Sequence, residues 1–198
     1  NDFKKELKSK FKVDSLCIFN PLNINEIKKK NKKRIKFKFF SNNKDIIKII
    51  FVGRYVDQKD PMTFLNALSI INNKLNFKAL IVGRGILRNK MNIFIKKNKL
   101  EKKVKLLNFQ DNPYKYIARS DLLVLTSKFE GLPNVLLEAL SLNKFIISSN
   151  CPTGPREILD CGKGGFLFEV GNFQKLAKKI ILFNINNRKY KKKLIFAR

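Results

Sequence analysis

Residues 127 to 140 read Ser-Lys-Phe-Glu-Gly-Leu-Pro-Asn-Val-Leu-Leu-Glu-Ala-Leu, with one carboxylate in a glycine turn and a second inside an apolar helical pattern. Pro133 has its φ preset for the first helical position, and good helix formers follow it, so the pattern predicts a helix that begins at Pro133. Leu132 would then be the cap residue, and it has no side-chain oxygen for the first free N–H groups. Those donors and the helix dipole would be available to an external anion such as a phosphate.

The two carboxylates of this stretch, Glu130 and Glu138, admit two interpretations. Most glutamates are surface residues, so the first could be a solvated loop residue and the second a solvated helix residue. Alternatively, Glu138 lies about one turn past Asn134 on a helix that is apolar wherever it would meet a core. It would then need a partner, because burying an ionised carboxylate alone costs several kcal/mol. The residue pattern alone favours neither interpretation.

Outward from this stretch, β-rich runs alternate with helical ones from residue 48 onward. These β-rich runs predict strands at 49–52, 79–82, 104–107, 122–125, 145–147 and 166–168, and the first of them is continuously apolar. Helical spacing predicts helices near 60–71, 91–95, 113–118, 155–159, 173–183 and 189–197. Such alternation indicates βαβ units and an α/β fold, a Rossmann-like doubly wound parallel sheet of about six strands.

Sheets of this kind bind ligands beyond the carboxyl ends of their strands. Four residues follow successive predicted strands and should lie along that edge: Arg54, Gly83, Phe109 and Glu130.

The segment before residue 46 has a different composition from the rest of the chain. Residues 15–19 are a short apolar strand candidate, and residues 24–38 are a lysine-rich stretch that is amphipathic or irregular. Residues 1–45 are therefore interpreted as a linker region and residues 46–198 as the domain.

Composition restricts the chemistry that this chain can carry. Its 198 residues suffice for one domain with an appendage, and 44% hydrophobic residues exclude a disordered chain. Histidine is absent, so the commonest general base and metal ligand is missing. The three cysteines have no C-x-x-C spacing and indicate neither a disulfide framework nor a zinc site. From this cysteine pattern a reducing compartment is expected. No run approaches the length of a membrane span, and the first residues do not resemble a signal peptide.

The charge of the chain is strongly positive. With 43 basic and 15 acidic residues the net charge is +28, which would attract nucleic acid, an anionic membrane leaflet or a pyrophosphate. The lysines are scattered as much as clustered, so biased residue usage is the favoured account of most of this charge. The basic cluster at 28–34 could contact nucleic acid or a membrane, but a solvated linker is favoured. A nucleic-acid-binding module remains an alternative, although no such motif with interleaved aromatics is present.

The stretch from Ser127 to Ala139 resembles the E-x7-E signature of retaining glycosyltransferases of family 4, nucleotide-sugar enzymes with the two-domain GT-B fold. Two further motifs are similar to parts of that family. The G-R-x4-K run from Gly53 to Lys59 resembles its diphosphate clamp. The run Gly83-Arg-Gly-Ile-Leu resembles its G-x-G-P-L turn, with isoleucine in place of proline. The resemblance covers residues 14–197 and implies the C-terminal, donor-binding half of a GT-B enzyme.

The resemblance implies a role for each motif. Its catalytic residues would be Glu130, which holds hydroxyls of the donor sugar, and Arg54 and Lys59, which hold the pyrophosphate. Glu138 would bind the ribose diol, whose two hydrogen bonds relieve the burial of a carboxylate. The remaining donor-binding positions would be Gly53, Gly83, Phe109 near the nucleobase, and the backbone of Gly131, Leu132, Asn134 and Val135. Without the resemblance, Arg54 and Lys59 would be read as two solvated cations in a very basic chain. The G-x-G motif at Gly83 could serve only to make a tight turn.

The implied activity is transfer of a UDP-linked hexose or N-acetylhexosamine to a glycan or lipid-linked acceptor in surface polysaccharide synthesis. No metal or other cofactor is expected, because protein cations and helix N–H groups would stabilise the departing diphosphate. Residues 1–20 resemble the tail of the family's first domain, so the acceptor domain would be missing or would be a separate subunit. The implied location is cytoplasmic, and contact with the anionic inner face of the cytoplasmic membrane is a further expectation. A non-catalytic partner domain of a split transferase remains an alternative.

Overall fold

The computed structural model describes residues 2–16, 21–33, 39–40, 45–186 and 190. Within those ranges one sheet contains six strands: β1 (Ile47–Val52), β2 (Phe77–Val82), β3 (Val104–Leu107), β4 (Leu122–Leu125), β5 (Phe145–Ser149) and β6 (Phe166–Phe168). Every neighbouring pair is parallel, and the spatial order is β3-β2-β1-β4-β5-β6. This is the strand order of a doubly wound Rossmann sheet. The predicted fold class is therefore confirmed.

The helices of the described residues are α1 (Asp2–Phe11), α2 (Ile24–Asn31), α3 (Pro61–Ile71), α4 (Arg88–Lys97), α5 (Tyr114–Ile117), α6 (Asn134–Ser141), α7 (Pro155–Ile158) and α8 (Phe173–Ile185). The start of α3 follows from its sequence, because the Asp60 carboxylate accepts a hydrogen bond from Thr63 N at 3.1 Å and Pro61 occupies the first turn. The predicted strand at 15–19 and the predicted helix at 189–197 lie largely outside the described residues. No described helix has the length and apolar character that crossing a membrane requires.

Helices cover both faces of the sheet, so the central strands are buried on two sides. On one face, α3, α4 and α8 pack over an apolar cluster that includes Phe64 and Phe183. On the other face, α5, α6 and α7 pack over a second cluster that includes Leu136. Successive residues of β1 alternate between them, with Phe51 in the first and Ile50 in the second. Each buried side chain of this size contributes about 1.5–3 kcal/mol, which explains why the strand positions that face the two clusters are apolar.

Helix α2 lies within the region interpreted as a linker, and it packs against α5 and α6. Ile27 is its buried contact, with 3% of its surface exposed. The Asn112 side chain fixes the helix further by donating from Nδ2 to Lys30 O at 2.9 Å. Lys28 and Lys29 remain exposed to solvent. This stretch is therefore helical and docked on the domain through its apolar side, while the division at residue 45 stays a prediction.

Candidate functional site

A cavity of about 310 Å³ opens where β1 and β2 end. Its walls include Gly53, Arg54, Gly83, Arg84, Phe109 and Gln110. The structure thus brings together four of the positions predicted from the sequence, which come from loops after three different strands. The Arg84 guanidinium lies 5.3 Å from the centroid of the Phe109 ring, within cation–π range. Phe109 keeps 56% of its surface exposed, so an aromatic face remains open beside the cavity.

Two glycines of the predicted site have different physical explanations. A Cβ on Gly83 would lie 1.9 Å from Gly53 O, so the close approach of these two strand ends excludes any larger residue. This close contact within the protein is sufficient to explain why residue 83 is a glycine. A Cβ on Gly131 would meet nothing within 4 Å. Contacts within the folded chain therefore do not require glycine at position 131. The space beside the Gly131 backbone is open.

Lys59 and Glu130 form a buried ion pair at the same edge of the sheet. Lys59 Nζ lies 2.5 Å from Glu130 Oε1, and the two side chains are only 17% and 6% exposed. Ser127 Oγ donates to the same oxygen at 2.5 Å. The Thr126 hydroxyl donates a hydrogen bond to Lys59 O at 2.9 Å and fixes the backbone at Lys59. One carboxylate and one cation predicted for the site are therefore in direct contact.

The turn that carries Glu130 is anchored on the loop after β5. Glu130 N donates to Pro152 O at 2.7 Å, and Thr153 N donates back to Glu130 O at 3.0 Å. Thr153 Oγ1 also donates to Glu130 O, at 2.9 Å. Below the turn, Ser149 Oγ donates to Ser127 O at 2.7 Å. These bonds join the loops that follow two neighbouring strands, so the position of Glu130 is set by the sheet.

Arg54 is linked to this turn through one glutamine. Arg54 Nη2 donates to Gln58 Oε1 at 2.8 Å, and Gln58 Nε2 donates to Phe129 O at 3.2 Å. Lys128 N donates to Gln58 O at 2.8 Å. Arg54 itself is exposed and forms part of the cavity wall. Its guanidinium retains further donors for an anion in the cavity.

Helix α6 begins at Asn134 and not at Pro133, so the predicted start is wrong by one residue. Pro133 is the cap, because its ψ of 87° lies outside the helical region and its ring is buried close to Gly154. The expectation that Leu132 would be the cap is wrong for the same reason. Proline also lacks a capping oxygen, and the cap makes no side-chain hydrogen bond. The first N–H groups of α6 therefore have no side-chain cap, and they come directly after the glycine turn that carries Glu130.

Glu138 lies further along α6 and does not contact the ion pair. Its carboxylate accepts a hydrogen bond at Oε1 from the Tyr114 hydroxyl, at 3.4 Å. Burial raises the pKa of Glu138, and the Tyr114 hydrogen bond partly opposes that rise. None of the ion pairs among the described residues involves Glu138. Of the two interpretations of Glu138, its environment therefore fits the partly buried carboxylate with a partner and not the solvated helix residue.

Metal-ligating and nucleophilic groups are sparse in the described ranges. No cluster of three or more His, Cys, Asp or Glu residues there could hold a metal ion. Cys151 is 4% exposed beside the Glu130 turn, and burial raises the pKa of its thiol. A buried, protonated thiol is a poor nucleophile. The chemistry available at this edge consists of carboxylates, cations, hydroxyls and backbone dipoles.

Comparison with known proteins identifies the family. The sequence profile described as Glycosyl transferases group 1 matches residues 31–196. The chain belongs to this family. The match includes every strand of the sheet and every residue of the candidate site, and α2 precedes it except for its last residue, Asn31.

Two curated relatives are similar to this chain over part of their length. An uncharacterized glycosyltransferase of Methanocaldococcus jannaschii is 36% identical over 156 residues, which are 78% of this chain and 37% of that protein. An N-acetylgalactosaminyltransferase of Campylobacter jejuni, named for a diphospho-undecaprenol-linked substrate, is 36% identical over 124 residues, which are 63% of this chain and 33% of that protein. The chain thus spans about a third to two fifths of the length of these relatives.

A solved structure shares the fold of this chain. Staphylococcus aureus TarM, in a complex with UDP and alpha-GlcNAc-glycerol, superposes with a TM-score of 0.80 at 22% sequence identity. The superposition covers 98% of this chain and 37% of TarM. At this identity the likeness concerns the fold alone, which is the Rossmann-like domain of GT-B glycosyltransferases.

Several residues that shape the candidate site were not predicted from the sequence. Ser127 stands three residues before Glu130, and the spacing is compatible with their hydrogen bond without indicating it. Gln58 lies between Arg54 and Lys59 in the G-R-x4-K run, but nothing in the sequence indicates its bond to the glycine turn. No signal pairs Tyr114 with a carboxylate 24 positions later.

Proposed function

We propose that this chain is the donor-binding half of a retaining family 4 glycosyltransferase, which transfers a UDP-linked hexose or N-acetylhexosamine. The observation that supports it most is the buried contact between Lys59 and Glu130 at the carboxyl edge of the sheet. A sugar-binding carboxylate and a phosphate-binding cation in contact fit a ligand that carries both groups side by side. A sugar nucleotide is such a ligand, because its sugar is bonded directly to a diphosphate.

The proposed donor lies along the edge in a fixed direction. The cavity beside Phe109 and Arg84 takes the nucleobase, since an aromatic face and a guanidinium plane both stack on bases. Glu138 takes the ribose hydroxyls. The diphosphate lies between Arg54, Lys59 and the uncapped N–H groups of α6, which together offer charge and donors. Gly131 leaves room for the diphosphate or sugar to approach the backbone.

The proposed reaction breaks the bond between the anomeric carbon and a phosphate oxygen. The sugar passes through an oxocarbenium-like state while negative charge builds on the departing diphosphate. Arg54, Lys59 and the helix N–H groups stabilise that charge, so no metal ion is required. The acceptor hydroxyl bonds to the anomeric carbon on the same face, and the departing phosphate oxygen takes its proton. Glu130 orients the sugar through its hydroxyls.

The acceptor and the remaining parts of the enzyme are part of the proposal. The Campylobacter jejuni relative is named for a lipid-linked acceptor, which favours a glycan or lipid-linked acceptor in surface polysaccharide synthesis here. The remaining length of the relatives would supply an acceptor domain, on the same polypeptide or as a separate subunit. A cytoplasmic location at the inner face of the membrane follows from such an acceptor. Without that second domain, the chain binds donor weakly and transfers little.

Isothermal titration calorimetry with UDP and UDP-sugars tests the donor site. We expect wild-type chain to bind UDP, and Arg54→Ala and Glu138→Ala each to weaken binding by about tenfold or more. Arg119→Ala is the matched control, because it removes an equal charge from an exposed position before the amino end of β4. It should retain wild-type affinity at low ionic strength.

Two results would contradict the proposal. Full-strength UDP binding by both Arg54→Ala and Glu138→Ala would remove the residue assignments. No UDP binding by the wild type, together with polynucleotide binding that falls steeply with salt and ignores Glu130→Gln, would favour the nucleic-acid-binding alternative.

A further inference from the structure

Among the described residues, Glu138 is a partly buried carboxylate that forms no ion pair, in a chain that is rich in cations. The sequence holds 43 basic residues, yet no ion pair of the described residues reaches this side chain. Its hydrogen bond comes from a neutral donor, the Tyr114 hydroxyl, at 3.4 Å. A cation at this point would compete with sugar hydroxyls for the carboxylate, and it would attract a diphosphate. A neutral donor does neither, so the environment favours hydroxyl ligands over phosphates.

The Tyr114 hydroxyl is held in position by the packing of three helices. Tyr114 is the first residue of α5, whose turn is closed by a bond from Ala118 N to Tyr114 O at 2.8 Å. Helix α2 packs against both α5 and α6, and Asn112, just before α5, donates to Lys30 O of α2. The pKa of Tyr114 is raised, first by burial and then by the charge of Glu138. The phenol therefore stays protonated and donates at neutral pH.

The bond geometry leaves capacity on the carboxylate. An ionised carboxylate has about four acceptor sites, and one phenol hydroxyl occupies one of them. Each carboxylate oxygen accepts two hydrogen bonds, so Oε1 is still able to accept a second donor beside the Tyr114 hydroxyl. Two hydroxyls of a vicinal diol fit the remaining sites. With the phenol in place, three neutral donors would satisfy a carboxylate that burial makes costly to ionise.

We propose that Tyr114 is a positioning residue that fixes the carboxylate of Glu138 for a ribose diol, and that it thereby makes the site select ribonucleotides over 2′-deoxyribonucleotides. This inference rests on the proposed donor site. Tyr114 does not itself contact the nucleotide. It orients the carboxylate so that both sugar hydroxyls are bound together, and loss of either hydroxyl leaves the carboxylate under-satisfied.

The experiment compares the affinities for UDP and 2′-deoxy-UDP, by calorimetry on the purified chain. Wild-type chain should prefer UDP by about tenfold or more, because a site built to bind a hydroxyl rejects a ligand that lacks it. Tyr114→Phe should weaken UDP binding by about fivefold and 2′-deoxy-UDP binding by less, so that the ratio of affinities falls. Tyr116→Phe is the control, since it removes a hydroxyl from the same helix that bonds to Gln110. Its ratio should match the wild type.

Each outcome has a distinct meaning. A wild-type ratio in Tyr114→Phe, combined with a collapsed ratio in Glu138→Gln, would overturn the role of Tyr114 and leave the donor site standing. Absence of UDP binding in the wild type would overturn the donor site and this inference with it. The double variant Tyr114→Phe/Glu138→Gln gives a second measurement. If the effects of the two changes on the ratio are additive, the residues act separately and the proposal fails.

Discussion

Removing one charge of the Lys59–Glu130 pair should destabilise the fold far more than removing both. The perturbations are Lys59→Met, Glu130→Gln and the double variant, which keep the side-chain volumes close to native. Each single change leaves the other charge in a site where the side chains are only 17% and 6% exposed. An uncompensated charge in such a site has lost its hydration without gaining a partner.

The size of the effect follows from the separation of the charges. At 2.5 Å and an effective dielectric constant of about 20, two unit charges attract by about 6.6 kcal/mol. Desolvation opposes much of that attraction, and breaking such a pair typically costs about 3–5 kcal/mol. We expect Lys59→Met to cost more than Glu130→Gln, because a lysine left alone can extend toward solvent while Glu130 cannot. The double variant should cost less than either single change, since the amide introduced by Glu130→Gln would keep the Ser127 hydroxyl as a partner.

Urea unfolding followed by circular dichroism gives the free energy of unfolding for the four proteins of this cycle. A coupling energy of about 3 kcal/mol or more is expected. The pair Lys175–Glu169 is the matched control, because it has the same 2.5 Å separation with side chains 53% and 66% exposed. Its two changes should be close to additive, since solvent screens exposed pairs. Additive effects at Lys59 and Glu130 would refute the reasoning, and so would equal coupling in the two pairs.

Three further changes separate folding from binding. Gly131→Ala should leave the melting temperature unchanged, because its Cβ meets nothing, and weaken UDP-sugar binding by about tenfold in calorimetry; Gly83→Ala should instead destabilise the fold in the same melts. Burial raises the pKa of Glu138, so this carboxylate costs stability at neutral pH and the cost disappears as pH falls below its unfolded pKa. Glu138→Gln should therefore raise the melting temperature at pH 7 but not near pH 4, whereas an equal gain at both would contradict the assignment. Tyr55→Phe should cost about 1–3 kcal/mol in urea unfolding, because the fully buried Tyr55 hydroxyl lies within 2.8 Å of Ile81 O and Leu107 O, and no measurable loss would contradict it.

Much of the site could be predicted because it follows the strands. Gly53, Gly83 and Phe109 come within two residues of the ends of their strands, and the carboxyl ends of parallel strands share one edge. The cavity wall could therefore be predicted without any knowledge of side-chain contacts. The residues that hold the site together were harder to predict. The side chains of Tyr114 and Gln58 form hydrogen bonds with groups that are distant in the sequence, and no local sequence pattern indicates such a hydrogen bond.

The sequence by itself determined the class of fold and the edge on which the site lies. Runs such as 49–52 and 122–125 are apolar throughout because both faces of the sheet are covered, and that pattern is readable locally. Only the tertiary structure decided the strand order, the docking of α2 and the contact of Lys59 with Glu130. Lys59 and Glu130 are 71 positions apart in the sequence, and they meet because β1 and β4 pair in the sheet. Strand pairing depends on the whole core, so a local pattern does not contain it.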